Sequence, residues 1–509
     1  MDVLSLEYLI LLISTFFLYY LINFINKQCK RIIIPQWSVL LIASIVFYGF
    51  TNYVFLIYLI SSSLLSYVVA LLCQHRIFKK DVAVDTNKRR KYEKALTIFV
   101  IVVIVGILSV LKYYNFFVTS TNSLFKTSFI TYKFIIPLGI SFYTFSLISY
   151  NVDCYKKITI AEKNPFKFLL FVSYFPKVLQ GPISSYDKLK EDGLFNNHSF
   201  ANNNYLPCFF RISIGLVKKI IIANIFGLYV DGAYQNLLEM HGLVLLITSI
   251  FYSIQLYCDF SGFMDITIGI SGLFGIKLEE NFKTPYLSSS IHDFWRRWHV
   301  TLGAWLKKYI YIPLGGSRVP TWKWVINIMI VWIISGLWHG ANWTFVIWGI
   351  YHGILLIVFG LKARISKNEK ENPKKETRMH IVLSTLLTFF LVNFGWILFR
   401  SENIVIAARF FKRMLEVWKP TNYAMFFNPL EVKTHWLLII SITLTLILAL
   451  SKIFIKSKDD LFAKFKNPKL ISTICIYSIT IVFFSISIFS FLYLSSIGGG
   501  QSSFIYFDF

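Results

Sequence analysis

Residues Trp324–Leu361 read WVINIMIVWIISGLWHGANWTFVIWGIYHGILLIVFGL, without one Asp, Glu, Lys or Arg. About 20 apolar residues cross a bilayer, so this stretch holds two spans, Trp324–Trp338 and Trp343–Leu361. Between them sits His339, with Gly336 and Gly340 on either side. The two glycines allow close backbone approach and predict a helix interrupted at the histidine. A proton-exchanging ring at membrane depth is costly unless it faces protein or a water-filled cavity, so His339 is a functional candidate. A satisfied structural histidine is the competing reading. His352, in Gly349-Ile350-Tyr351-His352-Gly353, fits that structural role better, or orients the helix that partners His339.

The rest of the chain has the same character. Of 509 residues, 56% are hydrophobic, 18% aromatic and 15% charged, with a mean hydropathy of +0.60. Soluble domains carry roughly 25% charge, so the composition is that of a polytopic membrane protein. The net charge of +25 comes from short basic runs between apolar segments. That is the pattern of loops beside anionic lipid, and no basic soluble domain remains to bind nucleic acid. Cys29, Cys73, Cys154, Cys208, Cys258 and Cys475 are scattered, with no zinc spacing and no disulfide framework. The N-terminus lacks a basic n-region and reads as a retained first span.

Further apolar runs are Leu4–Ile25, Trp37–Phe50 (short), Tyr53–Cys73, Ala95–Leu111, Phe129–Tyr150, Phe209–Val230, Leu243–Phe274, His380–Phe399, Trp436–Ile455 and Leu470–Leu494. Leu243–Phe274 is too long for one simple span, and Phe166–Leu179 and Ile291–Ile312 are mixed. The expected fold is an all-α, polytopic membrane bundle of about 11–13 spanning or re-entrant helices around a central tunnel. It forms one embedded domain over 1–509, with its core near 129–400 and peripheral helices at 1–128 and 401–509. Basic residues at 27–31, 76–94, 156–167, 362–378 and 456–469 mark inside loops, which places both termini outside a multi-pass plasma-membrane protein. Ser401–Lys433 falls outside by alternation yet carries Arg409, Lys412, Arg413, Lys419 and Lys433, as an amphipathic surface helix would. The Gly-rich, then aromatic tail from Gly498 reads as a strap at the outer interface.

Ile291–Ile312 reads IHDFWRRWHVTLGAWLKKYIYI. On one continuous helix His292 and His299 share a face with Trp295 between them. Arg296, Arg297, Lys307 and Lys308 forbid a lipid-facing span, and the aromatics forbid full solvation. Such a helix belongs at an interface or between other helices, where its arginines hold phosphate. The same charges equally suit snorkelling anchors. Asp259 and Asp265 are the carboxylates of the Leu243–Phe274 run. Asp259 is a tentative cavity-facing group, whereas an ion pair with a neighbouring helix fits Asp265 better.

The motif FWRRWHVTLGAW, then YIYIPLGG, then SGLWHGANW closely resembles the membrane-bound O-acyltransferase superfamily, in its bacterial polysaccharide O-acetyltransferase branch. Residues 136–145 (IPLGISFYTF), 175–183 (FPKVLQGPI), 257–263 with Asp265, Glu280-Asn281-Phe282, Phe394-Gly395-Trp396 with Phe399-Arg400, and Phe504–Phe507 extend the likeness over most of the chain. Gln180 and Ser184-Ser185 depart from the pattern, which bears on substrate preference. The resemblance implies that His339 is the superfamily's invariant histidine and His299 its second. It implies transfer of an acetyl group from cytoplasmic acetyl-CoA, without a metal, for O-acetylation of an exported or cell-surface polysaccharide. Trp295, Arg296, Arg297 and Asp259 would contact the donor. An extracytoplasmic, membrane-anchored esterase-like transferase is the implied partner for the final step. His339 would act as general base or itself take the acyl group, and His299 would orient the donor. Two other functions fit the broad pattern. One is D-alanyl transfer from a carrier protein to teichoic acid, in a generally shorter branch without the PLGG loop and aromatic tail. The other is a non-enzymatic glycan or lipid transporter, which the missing internal repeat and the central histidine disfavour.

Overall fold

The computed structural model describes residues 4–74, 86–366, 377–421, 423, 426, 435–454 and 470–496. These residues are helical without a strand, apart from one isolated bridge between Phe282 and Trp298. Eight of the described helices are long and apolar enough to cross a membrane, and shorter apolar helices accompany them. The polytopic all-α architecture expected from composition is therefore the one adopted. Two compact units divide the chain, Met1–Cys208 with Thr267–Glu279, and Phe209–Ile266 with Glu280–Phe509. The aromatic tail motif Phe504–Phe507 and the basic run 456–469 lie outside the described residues.

The first unit contains α1 (Leu6–Gln28), α2 (Trp37–Thr51), α3 (Tyr53–Gln74), α4 (Thr86–Phe125), α5 (Ile140–Tyr155), α6 (Pro165–Ser173) and α7 (Tyr186–Glu191). Two expectations need correction here. Helix α4 runs well beyond Ala95–Leu111, and the apolar run starting at Phe129 becomes helical only at Ile140. The reason is local. Asn115 exchanges hydrogen bonds with the Tyr132 backbone and Asn122 accepts from the Phe129 amide, so the chain doubles back along α4. Gly139, at φ +72°, then turns it into α5 and lies so close to Val178 that a Cβ would meet its carbonyl oxygen at 2.3 Å. Val178 belongs to a buried, largely irregular stretch over 174–184, whose Phe175 amide donates to Ser44 Oγ of α2 at 3.0 Å. Non-helical backbone survives in an apolar setting only when protein satisfies it in this way.

The second unit begins inside α8 (Tyr205–Leu216) and continues through a π-helical turn, Val217–Ala223, into α9 (Asn224–Gln235). Helix α10 (Gly242–Leu273) is one unbroken helix. At 1.5 Å per residue its length is about 48 Å, more than a ~30 Å hydrocarbon layer requires. Then follow α11 (Ile291–Arg297), α12 (Val300–Leu306), a second π-helical turn at Lys307–Tyr311, α13 (Thr321–His339), α14 (Trp343–Ser366), α15 (Arg378–Arg400), α16 (Ile404–Leu415), α17 (His435–Phe454) and α18 (Leu470–Ser496).

Helices α13 and α14 form an antiparallel hairpin in backbone contact. A Cβ on Gly336 would lie 2.2 Å from the Phe345 carbonyl oxygen, and one on Gly349 would lie 2.3 Å from that of Trp332. The glycines flanking His339 thus serve a turn between two helices, where an interruption inside one helix was expected. His339 is the last residue of α13, and it lies at the end of a span rather than its middle.

Candidate active site

The residues of α11 and α12 do not form the single helix that their spacing suggests. Ser290 caps α11 by accepting from the Asp293 amide, and the helix stops at Arg297. Trp298 then bridges Phe282, the Lys283 amide donates to Arg297 O, and the Val300 amide donates to Asn281 O at 3.0 Å. Asn281 completes the clamp, its fully buried Oδ1 accepting from the amide and the hydroxyl of Thr301. Held this way, His299 takes φ +45°, ψ 54°, the left-handed region that a residue with a Cβ rarely occupies. Strain of about 1–3 kcal/mol at such a residue persists only where surrounding structure enforces it, and it clusters at functional sites.

The kink turns His299 into a cavity of about 560 Å³, whose lining includes His292, Trp295, Arg296, Lys307, Ser335 and His339. The sequence-derived candidates His299, His339, Trp295 and Arg296 are thereby brought to one wall system. The His299 ring packs 4.9 Å from Phe260 and 5.9 Å from Trp338. Among the described residues neither of its nitrogens has a hydrogen-bond partner, and burial pulls its pKa down to about 3, so it stays neutral at physiological pH. His292 is shifted the same way, first by burial and then by the Arg296 charge. The buried His339 ring sits about 5 Å from the rings of Trp338, Trp348 and Phe399. Gly340, which follows it, is pressed against the Phe345 ring, where a Cβ would stand 2.2 Å away. These walls leave the imidazole few alternative positions.

Other candidates are placed differently. Asp293 accepts from both Arg296 and Arg297, at 2.9 and 2.7 Å. Arg296 is 77% exposed and lines the cavity, whereas Arg297 does not. Asp259, expected to face the cavity, is absent from its lining and lies 2.5 Å from Lys219 in a fully buried pair. Asp265 is paired as its alternative reading anticipated, with Lys218 and with Arg211, which also reaches Glu280 at 2.6 Å. Both lysines sit on the first π-helical turn, and Gly215 and Gly262 let α8 and α10 approach at backbone distance beside them. His352 lies behind the cavity wall, completely buried between Trp295 and Trp348, with its Nε2 against Gly395. Two lining groups, Ser335 and Lys307, were not assigned to the site from the sequence. Ser335 stands one helical turn before His339, a spacing that could have flagged it. Lys307 is aimed into the cavity from the second π-helical turn, which no sequence signal announces.

A family model for the membrane-bound O-acyltransferases matches residues 54–400, which hold every one of these groups. The chain belongs to the membrane-bound O-acyltransferase family. Among its relatives, the peptidoglycan O-acetyltransferase of Helicobacter pylori is 35% identical over 77% of this chain and 76% of its own length. The probable alginate O-acetylase AlgI of Pseudomonas aeruginosa is 35% identical over 74% of this chain and 69% of its own. The teichoic acid D-alanyltransferase of Bacillus subtilis is more distant, at 28% over 52% and 69%. As a member of this family the chain is a multi-pass membrane O-acyltransferase.

Proposed function

We propose that this O-acyltransferase moves an acetyl group from acetyl-CoA, supplied on the cytoplasmic side, toward a hydroxyl of an exported polysaccharide or of peptidoglycan. The supporting observation is the chemistry of the cavity lining. It carries histidines and two cations, Arg296 and Lys307, in a largely aromatic and aliphatic wall without a carboxylate among the residues that line it. A coenzyme's phosphates suit the exposed Arg296 and Lys307, and a neutral acetyl thioester suits the apolar interior. A D-alanyl group would bring an α-ammonium into this wall with no anion to receive it, a costly burial. That mismatch, and the greater distance of the D-alanyltransferases, favour acetyl.

In the proposed reaction His339 accepts the proton of the attacking hydroxyl. The new C–O ester bond forms as the C–S thioester bond breaks, and His339 returns the proton to the leaving thiolate. Ser335 and the neutral His299 orient the thioester, and Trp295 packs beside it. Arg297, tied to Asp293, keeps α11 and its Arg296 in place. The acceptor is either the polymer itself or an extracytoplasmic transferase that completes the delivery. Reconstituted enzyme offered radiolabelled acetyl and D-alanyl thioesters should release label from the acetyl donor alone. Turnover of the D-alanyl donor at a comparable rate would overturn the assignment.

A further inference from the structure

Helix α16 and the residues that follow it lie apart from the cavity, yet they are built with care. Ala407, Phe410 and Met414 bury one face of α16 in the core of the second unit. On the opposite side Arg409 and Lys412 are exposed, and neither takes a salt bridge among the described residues. After the helix, Leu415, Val417 and Trp418 are 69%, 68% and 79% exposed.

This apolar trio does not belong to a loose loop. The Val417 backbone packs on Gly242, where a Cβ would stand 2.8 Å from its Cα. The His241 amide donates to Thr421 Oγ1 at 3.1 Å, and Thr421 donates back to the His241 carbonyl. Arg413 donates to Leu238 O and reaches His241 Nε2, while Glu416 lies 3.0 Å from both His241 and Lys419. The backbone is fixed, and three large apolar side chains are held outward from it.

The level of this elbow says what it meets. It is pinned to the turn between α9 and α10, where two candidate spans end at Gln235 and begin at Gly242. A third span ends at Arg400, which is paired with Asp231 of α9. Three helix ends therefore place Trp418 at the boundary between hydrocarbon and headgroups. Tryptophan concentrates there, and an amphipathic helix with a basic outer face lies in that plane over anionic lipid. We propose that α16 and residues 415–419 form a docking surface for anionic phospholipid headgroups, with Trp418 and its neighbours set into the acyl boundary and Arg409 and Lys412 on the phosphates. This also bears on the basic segment that breaks the alternation of charged loops, because two of its cations, Arg409 and Lys412, rest on lipid phosphates in this arrangement. The proposal is independent of which acyl group the enzyme moves.

The test uses the full chain in nanodiscs of phosphatidylcholine mixed with phosphatidylglycerol, with a photocrosslinking amino acid replacing Trp418. The expected adduct is phosphatidylglycerol, enriched over its share of the bilayer. Each basic residue near an anionic surface contributes about 1 kcal/mol, so R409Q/K412Q should cut the ratio of phosphatidylglycerol to phosphatidylcholine adducts roughly thirty-fold. Both side chains are exposed, and the variant should fold as the parent does. Equal capture of the two lipids, absence of a lipid adduct, or an adduct to a second protein would each overturn the proposal.

Discussion

The second unit buries polar groups in two opposite ways. Along α8, its π-helical turn and α10, every buried charge meets its opposite, with Lys218 and Arg211 on Asp265 and Lys219 on Asp259. Around the cavity, histidines are buried among aromatic rings, and the nitrogens of His299 and His352 have no hydrogen-bond partner among the described residues. The first arrangement neutralises charge inside a helix packing. The second leaves the neutral His299 imidazole on the wall of a largely apolar cavity. Burial alone therefore does not tell the two regions apart; the presence or absence of an opposite charge does.

The largest effect is expected from removing the proposed base, His339. H339Q keeps size and polarity but cannot accept the proton, so acetyl transfer should fall by about 10²–10⁴-fold while the unfolding temperature stays near that of the parent. Robust transfer by this variant would return His339 to a structural role. The ion-pair layer should respond in the reverse manner. K219A strands Asp259 in the interior and should cost about 3–5 kcal/mol of stability, read as thermal unfolding in detergent. The K219M/D259L double variant, with both charges gone, should recover most of that loss. If the double variant is as unstable as the single one, the pair does more than neutralise itself.

The smallest effect concerns pH. His299 has a folded pKa of about 3 against an ordinary value of 6.5. Its unfolded form binds the extra proton between those values, so its contribution favours the folded state above about pH 6.5 and is lost progressively as pH falls toward 3. Acid unfolding should accordingly shift to lower pH in H299Q. The rate profile between about pH 5 and 8 should show no inflection removed by that substitution, and finding one would mean that His299 titrates during turnover.

Much of this was legible in the sequence, because span-forming composition is a local property. The helices at Tyr53–Gln74, Thr321–His339 and Arg378–Arg400 end within a few residues of the apolar runs that announce them. His339 was legible for the same reason, since a polar ring in an uncharged run stands out, whereas His299 was singled out through the FWRRWH motif. What was hidden depends on partners distant in sequence. The break at Trp298–His299 is imposed by Asn281 and Phe282, and nothing within IHDFWRRWHV signals it. Asp259 looked available because its cation lies forty residues upstream. The signal was nevertheless there, since Lys218 and Lys219 interrupt an apolar helix and a buried lysine requires an anion.

The π-helical turn at Val217–Ala223 has a consequence for how this layer can change. Such a turn amounts to one residue inserted into an α-helix. Because the wide turn absorbs that residue, losing it would restore regular winding with the flanking helices kept in register, and would re-aim the side chains of the turn itself. Both lysines would then leave their carboxylates at once. An alignment scored on residue identity alone would see only a one-residue gap in a hydrophobic segment, at a place where chain length matters more than which amino acid is present.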